Sequence, residues 1–392
     1  MPMKKALFAV IILDLLALSY GISTLSISAY EAQIYFDERS LTAHLAHFGT
    51  QILGQNDYGL RAPFVLLHFL SSILLYLYAL KITKTPKDAL FSLILFLLLP
   101  GTVASALCVN VASIVICLSL LILCAYEYGF TKSFYALLLA ALFVDKSFGI
   151  LFLSLFFFAL YRKNTPLLFF ALALFAGCVG LYEFDFSGKP KGYFLDTLGV
   201  FAAAFSPFVF VYYFYVIYRL AFKPQKPMLW FIMSTSFLFC LIFSLRQRLY
   251  LEEFLPFCVI STPLLISTLM SSYRIRLPNL RLKYNIFIEC SLIFLALCYV
   301  AIIFNSFLYA FTSKPQQHFA YNYHIAKELA TKLKKRGINK VKTDKEMQLR
   351  LKFYGIDEGK GLFLERVSKR KWADFTINLG KNDEFYGLKR LQ

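Results

Sequence analysis

Charge is scarce in this chain. Of 392 residues, 16% are Asp, Glu, Lys or Arg and 59% are hydrophobic, against about 25% and 45–50% in ordinary soluble domains. That balance excludes a soluble globular protein. Acid is scarcer still: 23 Asp and Glu stand against 41 Lys and Arg, a net charge of +18. Disulfide chemistry is missing. The eight cysteines (Cys108, Cys117, Cys124, Cys178, Cys240, Cys258, Cys290 and Cys298) all fall in apolar segments, and none lies in the polar tail. The CxxC and CxxxxH spacings of zinc modules are absent. The tail contains no Gly-rich phosphate loop, HExxH or GxSxG. No internal repeat is found, which argues against a transporter built from paired repeats with broken helices.

What is abundant is apolar sequence in long runs. About 20 helical residues cross roughly 30 Å of hydrocarbon. Eleven runs approach that length: about 6–26, 62–82, 89–107, 110–126, 133–145, 147–161, 165–183, 197–221, 228–244, 249–271 and 285–311. The fifth and sixth are short, and a re-entrant hairpin is the alternative for that pair. Lys4 and Lys5 precede the first run as they would in a signal peptide, but the run is too long and its cleavage region weak, so it reads as a retained helix. The Phe and Tyr residues, 43 and 25 in number, read mostly as lipid-facing and interfacial packing.

The basic residues set the expected orientation. With the N-terminus inside, cytoplasmic loops carry Lys81, Lys84, Lys87, Lys132, Arg162, Lys163, Arg219, Arg274, Arg276, Arg281 and others. The opposite side before the tail carries few: Arg39, Arg61, Lys146, Lys189, Lys191, Arg246 and Arg248. This asymmetry follows the positive-inside rule. It places the loop 27–61 and everything after about 312 on the outer face. The positive charge is therefore topogenic in part and in the tail otherwise, and is not a nucleic-acid signal. On the outer face of an inner membrane it would meet anionic lipid or glycolipid.

Two domains follow: a membrane body, 1–312, and a soluble tail, 313–392. In the tail, 321–336 reads as an amphipathic helix stopped by Gly337, 338–343 as a strand, 345–353 as a second helix and 373–379 as a second strand. The expected fold is an all-α polytopic membrane protein of about eleven transmembrane helices with a small C-terminal α/β domain.

The stretch from Tyr35 to Pro63 carries the most functional information. It reads as an aromatic pair and an acid (Tyr35-Phe36-Asp37), a polar run, an amphipathic helix from Leu41 to Gly49, and then Asp57-Tyr58-Gly59-Leu60-Arg61-Ala62-Pro63. This order resembles the first large loop of the polyprenyl-phosphate-sugar-dependent (GT-C) membrane glycosyltransferases, the protein O-mannosyltransferase and aminoarabinose-transferase group. The likeness covers roughly 28–260 and is patternwise outside 35–63. It implies an undecaprenyl-phosphate-linked sugar as donor and an envelope glycolipid, lipid A or lipopolysaccharide core, as acceptor. Such transfer needs a base for the acceptor and cations for the departing phosphate.

The resemblance implies roles residue by residue. Glu31, in the Tyr-Glu-Ala triplet matching the family's Asp-Glu-Ala, would be the base, since Tyr30 holds the position of the family's Asp. Asp37 would hold a divalent metal or the donor, with Glu38 and Arg61 supporting. Eleven residues after Pro100-Gly101 the family carries an acid, and here Ala112 stands there; Asn110 nearby is a candidate hydrogen-bonding partner for the sugar. Lys146, following Asp145, matches a lysine that contacts the donor phosphate. Arg246, Arg248 and Tyr250 match an Arg-x-x-Tyr segment, and guanidinium forks suit phosphate. His44 and His47, three apart, are a candidate metal pair with Asp37, or simply pack. His68 reads as a buried hydrogen-bonding residue. For the acids the alternative is solvated loop residues; for the arginines, snorkelling to head groups. Tyr30 and Ala112 leave open a second reading, a non-catalytic subunit that presents glycolipid to a partner periplasmic glycan hydrolase or membrane protein.

Overall fold

The computed structural model describes residues 2–37, 39–182, 192–247, 251–312, 314–359, 361–380 and 382–390, without the side chains of Pro2, Leu251, Leu280, Lys283 and Asn382. It is 74% helical, with a small three-stranded sheet near the C-terminus. The predicted apolar runs are mostly helical in their described parts, but eleven spans are not reproduced. Among the described residues four helices are long and apolar enough to cross a membrane: Met3–Thr24, Asp57–Ile82, Leu255–Ile275 and Tyr284–Ile303. Two bent pairs raise the number to six if each is one span. This pattern suits a multi-pass membrane protein.

Proline explains both bends. Pro86–Leu98 and Pro100–Leu107 meet at 61°, and Phe194–Phe205 and Pro207–Ala221 at 105°. A proline ring drives the preceding residue out of the helical region. Leu99 is accordingly extended at ψ 127, and Ser206 sits at φ 66, ψ 147. The remaining runs form Ala112–Glu127, Thr131–Leu142, Phe148–Arg162, Thr165–Leu181 and Met228–Ser244. At 1.5 Å per residue the longest of these reaches about 26 Å, short of the roughly 30 Å of hydrocarbon.

The chain divides into two compact units. The first comprises Met1–Asp14, Leu66–Ala106 and Asn110–Tyr299. Its core is aromatic and aliphatic, with Phe96, Phe148, Phe152, Phe158 and Phe257 fully buried. The buried Asp and His side chains of this core are paired, as an apolar surround requires. Buried Asp14 takes His68 Nε2 at 3.1 Å and the Tyr299 hydroxyl at 2.9 Å. Both carboxylate oxygens of Asp88 accept Arg274 Nη2, at 2.6 and 2.7 Å.

The second unit comprises Leu15–Val65, Leu107–Val109 and Val300–Gln392. The expected outer loop and the expected tail thus lie in one unit. The loop is itself helical, as Ala29–Phe36, Leu41–Leu53 and the start of Asp57–Ile82. Ser28 and Ser40 cap the first two, each accepting a backbone N–H three residues on. A tight turn at Gly54 (φ 83) reverses the chain, and Gly49 and Gly59 bring the two helices into backbone contact.

In the tail, Lys345–Phe353 is helical as predicted and Asp344 caps it. The amphipathic helix is shorter than expected, Ala326–Lys335, because Tyr321–Tyr323 is a separate turn. The predicted strand at 338–343 is reduced to isolated bridges from Lys340 and Lys342. The sheet holds β1 (Leu362–Val367), β2 (Phe375–Leu379) and β3 (Asn382–Arg390) in the order β1–β3–β2, all antiparallel. Leu364, Ile377 and Tyr386 pack with Leu329, Leu333, Val341 and Leu351 in its core.

Candidate functional site

The second unit concentrates its buried charge around Glu31. Ser28 begins the helix: its hydroxyl accepts the Glu31 N–H at 3.2 Å, and the Glu31 carboxylate accepts the Ser28 N–H at 2.9 Å. This reciprocal cap turns the acid inward. Glu31 is wholly buried. Its Oε1 accepts the Val109 N–H at 2.9 Å, and its Oε2 also accepts Arg61 Nη2 at 2.8 Å. Three donors converge on the carboxylate, and its burial leaves no solvent-exposed face at which an acceptor hydroxyl could approach it.

Arg61 is equally buried. Nη2 also donates to Ser26 O at 3.0 Å and Nη1 to Leu25 O at 3.4 Å, while Nη1 lies 3.7 Å from Asp57 one turn earlier. Asp57 in turn accepts the Tyr354 hydroxyl at 2.6 Å and Lys327 Nζ at 2.8 Å. Arg350 donates to Ile27 O and to His324 O, each at 2.9 Å. Tail residues therefore complete the charge network that the loop residues begin. Burial lowers the Arg350 pKa, and burial with the Asp57 carboxylate raises that of Tyr354. Burial, with His318 and Arg350 nearby, holds His324 down to about 4, a neutral imidazole at neutral pH.

The predicted residues fall into separate places. Glu31 and Arg61 form the buried ion pair. Asp37 ends its helix with its side chain 65% exposed, 3.4 Å from Arg39. His44 is tied to Ser40 O and His47 to Tyr35 O, each at 2.8 Å; neither is hydrogen-bonded to Asp37. Among the described residues no group of three or more His, Cys, Asp or Glu is arranged to hold a metal. In the first unit, Lys146 pairs with Glu253 at 2.7 Å, both half-exposed. Arg246 is exposed. Asn110 turns its side-chain oxygen to the Ala112 N–H at 3.1 Å. Glu38, Arg248 and Tyr250 lie outside the described residues.

Sequence reasoning gave no role to Asp57, Lys327, Arg350 or Tyr354. Asp57 and Arg61, four apart at the head of a helix, were a visible signal. The tail residues carried none, since nothing local says that a cation near position 350 returns to residue 27. No protein-family model matches the chain, and no curated protein gives a significant match to it.

Proposed function

We propose that the chain is a GT-C-like membrane protein that binds a lipid-linked sugar and presents it to a partner periplasmic glycan-processing enzyme, without transferring the sugar itself. The observation that carries this reading is the state of Glu31. Transfer requires a carboxylate that can take a proton from the acceptor. Tyr30 and Ala112 stand at the family's acid positions, and Glu31 is wholly buried and held by Ser28, Val109 and Arg61. Binding needs no base. Arg246 is exposed, and Lys146, paired with Glu253, is still 41% exposed, so both can meet a phosphate, and the apolar helices supply the bilayer setting. In this reading the membrane is the bacterial inner membrane, with the N-terminus cytoplasmic and the 313–392 segment periplasmic.

A second reading, transfer from an undecaprenyl-phosphate sugar to lipid A or lipopolysaccharide core, is favoured by one observation. Asp37 is exposed beside Arg39 and open to a divalent metal or to an acceptor. Mass spectrometry of envelope glycolipids from a deletion strain separates the two. A sugar retained in excess fits a presenting subunit, whereas a lost sugar fits a transferase. Glycolipids identical to wild type would remove both.

A further inference from the structure

The first unit contains an apolar groove of about 330 Å³. Four helices wall it: Phe91 and Leu95 on Pro86–Leu98, Phe208 and Tyr212 on Pro207–Ala221, Leu269 on Thr262–Ile275, and Phe287 to Leu295 on Pro278–Ile303. Phe91, Phe208, Phe287 and Leu292 are each 40–44% exposed, so the groove is open along its length.

All four helices lead from the groove to one basic end. Asp88, one turn before Phe91, is held by Arg274. Arg219 donates to Ser272, one turn beyond Leu269, and to the Tyr215 hydroxyl at 3.4 Å. The Arg276 guanidinium lies 4.3 Å over Tyr284, and that of Arg281 lies 5.3 Å over Tyr273. The two tyrosine rings, 6.4 Å apart, bridge the helices just past the groove. Four arginines thus meet at this rim against Asp88. Among the described residues no carboxylate is paired with Arg219, Arg276 or Arg281.

We infer that this groove holds one acyl chain of an anionic glycerophospholipid, with its phosphate on the arginine rim. Apolar walls give the chain no hydrogen-bonding competitor; Arg281 Nε donates to Arg276 O at 2.9 Å, and the terminal nitrogens of the two stacked guanidinium groups are left to face phosphate oxygens. Length selects the lipid. From Phe287 to Leu295 the wall rises about 12 Å, near the roughly 15 Å of one leaflet's hydrocarbon and far short of a polyprenyl tail. The site is independent of the glycolipid reading above.

The test is native mass spectrometry of the full chain in detergent, titrated with phosphatidylglycerol or phosphatidylcholine. One phosphatidylglycerol should persist at energies that strip the others, and phosphatidylcholine should not. Arg276→Gln with Arg281→Gln should weaken retention about tenfold or more, as for loss of charge-assisted hydrogen bonds. Leu269→Trp should abolish retention by filling the groove. If Leu269→Trp does not fold, Ser291→Phe fills the same space from the neighbouring helix. Equal retention of both lipids, or wild-type retention by the folded groove-filling variant, overturns the proposal. A co-purified polyprenyl phosphate held there in place of a glycerophospholipid overturns it as well.

Discussion

Replacing Glu31 by Gln separates a structural carboxylate from a catalytic one. The change keeps size and shape but removes the charge opposite Arg61, 2.8 Å away in a site closed to water. It also replaces one accepting oxygen with an NH2 group. That group must face either the Val109 N–H or the Ser28 and Arg61 donors, so at least one donor loses its acceptor. Breaking a buried ion pair from one side costs about 3–5 kcal/mol. At about 2–4 °C per kcal/mol for a unit of this size, the unfolding midpoint should fall by roughly 10 °C. The assay is thermal unfolding of the purified chain in detergent, followed by size exclusion, beside envelope glycolipid analysis in cells at matched protein level. The expected result is lowered stability, with glycolipids that track the amount of folded protein. A midpoint equal to wild type, together with a complete glycolipid defect at normal abundance, would refute the reasoning and return Glu31 to the role of base.

Arg350→Met should strip the donors from Ile27 O and His324 O, at about 1–3 kcal/mol for each buried acceptor left unpaired, and limited proteolysis should cut the 313–392 segment at lower protease levels. His324 adds a pH dependence. Its folded pKa, about 4, lies below its ordinary value of 6.5, so the unfolded state binds more protons and stability is lost as pH falls through that window. At pH 5 the loss should be about 2 kcal/mol relative to pH 7.5. His324→Gln should flatten that part of the unfolding profile, and an unchanged slope would count against the buried neutral imidazole. A reporter active only in the periplasm, fused after Gln392, should be on; a signal from a cytoplasm-only reporter would reverse the proposed orientation.

Legibility in the sequence followed the range of the interaction. Helix Lys345–Phe353 was readable because its cap, Asp344, and its apolar spacing are local. Apolar runs located helices but did not give span lengths, since Pro100 and Pro207 redirect the chain where hydropathy stays high. β1 and β3 escaped notice because their sequences, Leu-Phe-Leu-Glu-Arg-Val and Asn-Asp-Glu-Phe-Tyr-Gly-Leu-Lys-Arg, alternate poorly and gain their pattern from pairing with each other. At the site, Glu31 and Arg61 were both singled out, yet thirty residues apart, and their union appears only when the chain reverses at Gly54.

That reversal leaves little tolerance for change. A Cβ at Gly49 would collide with the Gly59 carbonyl and lie 2.7 Å from the Pro63 ring, and one at Gly59 would collide with the Gly54 carbonyl. Backbone and a proline ring cannot swing aside as a flexible side chain would, so a single methyl group at either glycine must push one helix along or away from the other. Asp57 and Arg61 ride on the helix that would shift, and hydrogen bonds of about 3 Å do not survive a displacement on that scale. The hairpin thus acts as a gauge for the ion pair, in which the missing side chains of two glycines set how far Arg61 stands from Glu31.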